Sequence, residues 1–203
     1  MGNFTFETEN RTAQYETYEW DNTWINHPND LSSKRVLYIG DSISCGTRDF
    51  ATELSGQKVF FDGFGGSKAV DNPFFKKSIR LFADQQGKRD AVIFNNGLHG
   101  FHLDDETEYK LYYEEMIKFL ISEFKETPIY IVLTTHVALE KDEKHVIKRN
   151  KAAEEIAAKY KLPVIDLYTP SKEIAHLLKE DGVHFTIEGY KILAKKIVES
   201  IDL

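Results

Sequence analysis

The sequence predicts an α/β domain, a parallel sheet held between two layers of helices. Five short apolar runs alternate with longer stretches of helical period, and the runs are continuous rather than alternating. That is the pattern of strands covered on both faces. The 203 residues are 41% hydrophobic and 29% charged, which suits one globular domain. A chain of this length buries roughly 70% of its unfolded surface and needs neither metal nor disulfide to hold a core.

The strand candidates are Arg35–Gly40, Gln57–Phe61, Asp90–Asn96, Pro128–Thr134 and Pro163–Leu167. Each is rich in Val, Ile, Phe or Tyr and bounded by Gly, Pro, Asn or Asp. Between them, Asp104–Lys125 carries Tyr109, Tyr112, Tyr113, Met116, Phe119 and Leu120 at three-and-four spacing. Val146–Tyr160 and Ile187–Ile201 read as helices in the same way. Shorter helices are predicted after Ser42, around Pro73–Gln85 and at Ser171–Lys179. The charged run Glu140–Lys144 reads as a solvated loop. In such a sheet, ligands bind beyond the carboxyl ends of the strands.

Residues 1–33 fall outside this alternation. They carry Phe4, Phe6, Tyr15, Tyr18, Trp20 and Trp24, too many aromatic rings for a free tail. The expectation is a strap packed on the flank of a domain spanning 34–203, with a lid over the site or a dimer contact as alternatives. Trp20 and Trp24 would share a face if this segment were helical.

Charge and cysteine content narrow the partners. The net charge is −7, with 26 basic and 33 acidic residues. An acidic surface repels phosphate backbones and anionic lipid, so neither nucleic acid nor membrane is an expected partner. Cys45 is the single cysteine, so no internal disulfide forms. The N-terminus has no basic flank and apolar core of a secretory signal. Phe6 stands where a myristoylation motif needs Ser or Thr. The sequons at Asn3 and Asn10 carry little weight without an export signal. The expected setting is cytoplasmic.

Two motifs carry chemistry. Gly40-Asp41-Ser42-Ile43-Ser44 ends the first parallel strand and opens a helix, placing Ser42 among free backbone N–H groups suited to an anion or oxyanion. The same residues would also serve as an ordinary helix cap. Asp181-Gly182-Val183-His184 precedes the last helix. A carboxylate three residues before a histidine can reach Nδ1 and leave Nε2 to take a proton from a serine. The chain order Ser, Asp, His is that of α/β-hydrolases, but Ser44 replaces the second glycine of their nucleophile elbow.

Together the motifs resemble those of the SGNH hydrolase superfamily, the GDSL esterases and lipases. The resemblance covers residues 35 to 203. It implies a five-stranded parallel sheet in the flavodoxin-like order 2-1-3-4-5 within a three-layer α/β/α sandwich. It also implies Ser42 as nucleophile, with Asp181 and His184 completing a triad. Phe61-Asp62-Gly63-Phe64-Gly65-Gly66-Ser67 stands in the family's second block. Gly66 is the expected oxyanion donor there, Gly65 is the register alternative, and a simple glycine turn after the second strand is the bland account. The third block departs from Gly-x-Asn-Asp: the stretch here is Gly97-Leu98-His99-Gly100. An imidazole N–H can donate as an amide does, so His99 is the expected third donor and Asn96 the alternative.

The remaining polar residues are less informative. His136, Arg149 and Asn150 could contact substrate from the sheet's carboxyl edge. Cys45 reads as a small buried hydrophobe. His27, His102, His145 and His176 show no metal-ligand spacing, and no Walker or dinucleotide motif occurs. No metal or cofactor is expected. The sequence thus points to a serine esterase acting on a small ester, of short acyl or O-acetyl type. An acyltransferase on the same triad and a non-catalytic flavodoxin-like binding module are the alternatives.

Overall fold

The computed structural model describes residues 15–103 and 106–203. Phe4, Phe6, Asn3, Asn10 and the expected helix start at Asp104 lie outside the described residues. The chain forms β1 (Asp21–Trp24), β2 (Lys34–Gly40), α1 (Ser42–Leu54), β3 (Val59–Gly66), α2 (Phe75–Gln86), β4 (Ala91–Phe94) and α3 (Glu106–Glu123). It continues through β5 (Ile129–Val132), α4 (Glu140–Tyr160), β6 (Val164–Ile165), α5 (Tyr168–Glu173), a 3-10 turn at Ala175–Leu177 and α6 (Ile187–Ser200).

Alternation along the strands splits the core in two. Leu37 and Ile39 of β2, with Val92 and Phe94 of β4 and Ile129 and Ile131 of β5, meet α2, α3 and α4 on one face. Val36 and Tyr38, with Ala91, Ile93 and Val132, meet α1 and α6 on the other. Successive side chains of a strand point to opposite faces, so a continuous apolar run is what a sheet between two helical layers requires.

The expected sheet of five parallel strands is corrected. It has six strands, in the order β1-β3-β2-β4-β5-β6. The addition is β1, which pairs antiparallel with β3 from Asp21 opposite Gly66 to Trp24 opposite Gly63. The other five are mutually parallel. An unpaired edge would present a row of free N–H and C=O groups, and β1 covers it. Trp20 and Trp24 therefore do not share a helical face, and Trp24 is 54% exposed. Arg48 of α1 lies across Gly63 and bonds Asn22 Oδ1 at 2.6 Å, tying β1 to the opposite layer.

Two further expectations change. The glycines at 63, 65 and 66 lie inside β3 rather than in a turn after it. Glu140–Lys144 forms the first turn of α4, where Glu140, Asp142 and Glu143 complement the helix dipole.

A buried network holds the approach to β2. Arg35 donates to the carbonyls of Asn26, His27 and Asp30 and reaches Asp62 Oδ2 at 2.9 Å. Asp62 also accepts from Asn26 N and Gln86 Nε2. A charge buried this deeply is tolerable only because every oxygen is bonded.

Candidate active site

The site lies at the carboxyl edge of the sheet, where β2 gives way to α1. Asp41 is the N-cap of α1: its Oδ1 accepts from Ile43 N at 2.9 Å. Ser42 is thus the first helical residue and its hydroxyl is not consumed by capping. Ser44 Oγ turns inward to the Asp41 carbonyl at 2.6 Å. Asp41 is 1% exposed. Burial raises its carboxyl, opposed first by the imidazole of His99, then by the Ile43 N–H and the imidazole of His184.

The loop before α6 brings the second motif to Ser42. Asp181 Oδ1 accepts from the backbone N–H groups of Val183 and His184 at 2.9 and 2.8 Å. Its Oδ2 accepts from His184 Nδ1 at 2.9 Å. With that proton on Nδ1, His184 Nε2 faces Ser42 Oγ at 2.8 Å, across 142 positions of sequence. Gly182 turns the loop at φ +68°, where a Cβ would also strike Ala138. The two backbone N–H bonds and the imidazole hold the Asp181 carboxyl down at about 2, so it is charged wherever an imidazole titrates.

The oxyanion candidates are placed as follows. Gly65 packs against the Asp41 carbonyl, Ser44 and the Cys45 thiol. Gly66 ends β3 and is covered by the Trp20 carbonyl and the Asp21 carboxylate. Asn96 is 6% exposed and donates its amide to the Lys68 carbonyl at 2.9 Å. His99 is close enough to Asp41 to shift its carboxyl. Its ring stands edge-on to Trp20, with centroids 6.2 Å apart. Glu16 Oε1 lies 3.6 Å from His99 Nδ1 and accepts from Gly100 N at 2.6 Å. Gly100 itself adopts φ +73°, and a Cβ there would meet Ala69 at 2.5 Å. The fold therefore needs glycine at this position, where the family pattern has an aspartate.

Asn150 is buried, and both ends of its amide bond the backbone of Thr134 at the end of β5. It therefore supports the strand and does not face a cleft. His136 Nδ1 lies 2.8 Å from Glu143 Oε1. The Glu143 carboxyl is raised by burial but held below its ordinary value overall by bonds from Tyr168, His136 and the Val137 N–H. Burial raises the Cys45 thiol, so it is not a ready nucleophile. Among the described residues no group of three or more His, Cys, Asp and Glu could hold a metal ion.

Sequence reading missed Glu16 and left Arg149 undecided. Neither stands in a recognisable motif, and both bond backbone groups of a distant loop.

The architecture is shared with solved proteins. A lipase/acylhydrolase from Enterococcus faecalis aligns over 82% of this chain and 94% of its own, with 21% identity and a TM-score of 0.62. A member of the lipolytic G-D-S-L family from Veillonella parvula aligns over 82% and 97%, with 19% identity and a TM-score of 0.63. The fold is that of the GDSL, or SGNH, hydrolases. An acetyl esterase mutant solved with an acetate ion aligns over 82% of this chain and 95% of its own, with 15% identity and a TM-score of 0.64. No protein-family model and no curated protein matches the sequence. No described helix is long and apolar enough to cross a membrane.

Proposed function

We propose that the protein is a carboxylic ester hydrolase of the SGNH type, with Ser42 as nucleophile, His184 as general base and acid, and Asp181 orienting the imidazole. The observation that carries this reading is the bonded line Asp181–His184–Ser42, with 2.9 and 2.8 Å links. Ser42 Oγ attacks the acyl carbon as its proton passes to His184 Nε2. The collapsing tetrahedral intermediate expels the alkoxide, which takes that proton. Water then hydrolyses the acyl-enzyme by the same route. Asp181 stays ionised and stabilises the imidazolium.

The oxyanion is held by the N–H groups of Ser42 and Gly66 and by the side chain of His99. Asn96 is the weaker candidate, because its amide is bonded to Lys68. A small acyl group, of acetyl size, is the proposed substrate. The half-exposed His184 and Asp181 leave the reacting atoms open to a small ester. The acetyl esterase that shares the fold is consistent with such a substrate.

A fluorophosphonate probe with peptide mapping tests the nucleophile, and p-nitrophenyl esters from acetate to palmitate test the chain length. Labelling of Ser42 and a preference for acetate are expected. An unlabelled protein, or labelling that survives Ser42→Ala, overturns the reading. Product analysis with a competing alcohol separates hydrolysis from acyl transfer.

A further inference from the structure

We propose that Arg149 is a positioning residue for the oxyanion site: it locks the Gly97–Gly100 loop from beneath and so fixes the direction of the His99 ring. The inference rests on the serine-esterase reading above.

Arg149 is 4% exposed on α4. One guanidinium nitrogen donates to the carbonyls of Gly97 at 3.1 Å and His99 at 2.7 Å. The other donates to the carbonyl of Gly100 at 2.6 Å. The cation also lies over two aromatic rings, 4.9 Å from the centroid of Phe101 and 4.5 Å from that of Tyr109. The Tyr109 hydroxyl bonds the next carbonyl back, that of Asn96, at 2.5 Å. The carbonyls of residues 96, 97, 99 and 100 are thus all held by α3 and α4.

A buried guanidinium is a costly way to fill space, and an apolar side chain would do that more cheaply. Its distinctive property is a rigid fork of five donors, which can hold several carbonyls in one fixed geometry. Here those carbonyls flank the α-carbon of His99. Its own carbonyl is held by Arg149, and the following amide, that of Gly100, by Glu16. Both polar groups of the His99–Gly100 peptide are therefore held, and with them the backbone from which the His99 ring projects. An oxyanion donor works only when it is placed before the charge develops.

The test is a double-mutant cycle read by steady-state kinetics on p-nitrophenyl acetate, with thermal melts as control. Lysine at position 149 keeps the charge but loses the fork. Arg149→Lys is expected to lower kcat by about ten- to a hundredfold, the scale of a misplacement near 1 Å, with KM changed less than about twofold. The acid limb of the pH profile should not move, because the Asp181–His184 pair is untouched. In a His99→Ala background the same substitution should cost less than about twofold, since the group it positions is gone. If Arg149→Lys fails to fold, Arg149→Gln, which keeps two neutral donors, is read in the same cycle. Equal losses with and without His99, unchanged kcat, or an effect confined to KM would overturn the proposal. Wild type that no fluorophosphonate labels would remove the esterase reading and this inference together. A labelled wild type with an additive cycle removes the inference alone.

Discussion

The carboxylate of Glu16 and the backbone amide of Gly100 share a 2.6 Å hydrogen bond across 84 positions of sequence. The segment that carries Glu16 and β1 is therefore bonded to the loop that carries His99 as well as to the sheet edge. Glu16→Ala is expected to lower kcat by about tenfold, the equivalent of losing one charge-assisted bond worth ~1.5 kcal/mol, while leaving the melting temperature near wild type. Unchanged turnover, measured on p-nitrophenyl acetate, would make the strap purely structural.

Ser42→Ala should abolish ester turnover by about 10⁴–10⁶ in kcat and leave the circular dichroism spectrum and melting temperature unchanged. The cap of α1 survives because it belongs to Asp41. Residual activity near wild type would move the chemistry to another residue.

His99→Ala should reduce kcat by about 10²–10³, or ~2.7–4 kcal/mol of transition-state stabilisation, with little effect on KM. His99→Asn should recover much of it, since an amide N–H can serve the same oxygen. Near-normal kinetics in His99→Ala would leave the backbone N–H groups of Ser42 and Gly66 as the whole oxyanion site.

Asp181 should take up no proton on the acid limb of kcat/KM. Asp181 is depressed to about 2. A depressed carboxyl contributes stability above its ordinary value and loses it only as pH falls through that depressed value. It therefore adds no second proton where the imidazole titrates. Asp181→Asn should reduce kcat by about 10⁴, because the imidazolium loses its counter-charge and the ring its fixed tautomer. A two-proton limb in the wild type would bring in Asp41, whose carboxyl burial raises.

Asp62→Ala should destabilise the fold by about 3–5 kcal/mol, because it leaves the Arg35 guanidinium buried without its counter-charge. For a chain of this size that is a drop of roughly 6–20 °C in melting temperature. Turnover at low temperature should be retained, since Asp62 lies on β3 away from Ser42. A shift below about 2 °C would show that the carbonyls of Asn26, His27 and Asp30 satisfy Arg35 alone.

The five parallel strands and the main helices were legible because each buries apolar side chains at its own period. Val36 to Ile39 and Ala91 to Phe94 are continuous because helices cover both their faces. Ser42, Asp181 and His184 were legible as candidates because each motif packs its chemistry into a few adjacent residues. By contrast, β1 has the sequence Asp-Asn-Thr-Trp and is exposed throughout, so no periodicity marks it. Its pairing was decided by the open edge of β3. The start of α4 was hidden because a run of charges reads as loop until its acidic first turn meets a helix dipole.

The amino-acid sequence by itself determined the layers of the domain and the residues that carry its candidate chemistry, since both are written in local patterns of apolar and polar side chains. Only the tertiary structure decided which distant groups hold those residues in place. In the sequence, Arg149 reads only as a residue that could contact substrate. Arg149 is instead buried against three carbonyls of a loop some fifty positions earlier. Backbone carbonyls carry no sequence signature, so a contact made to them becomes visible only when the chain has folded.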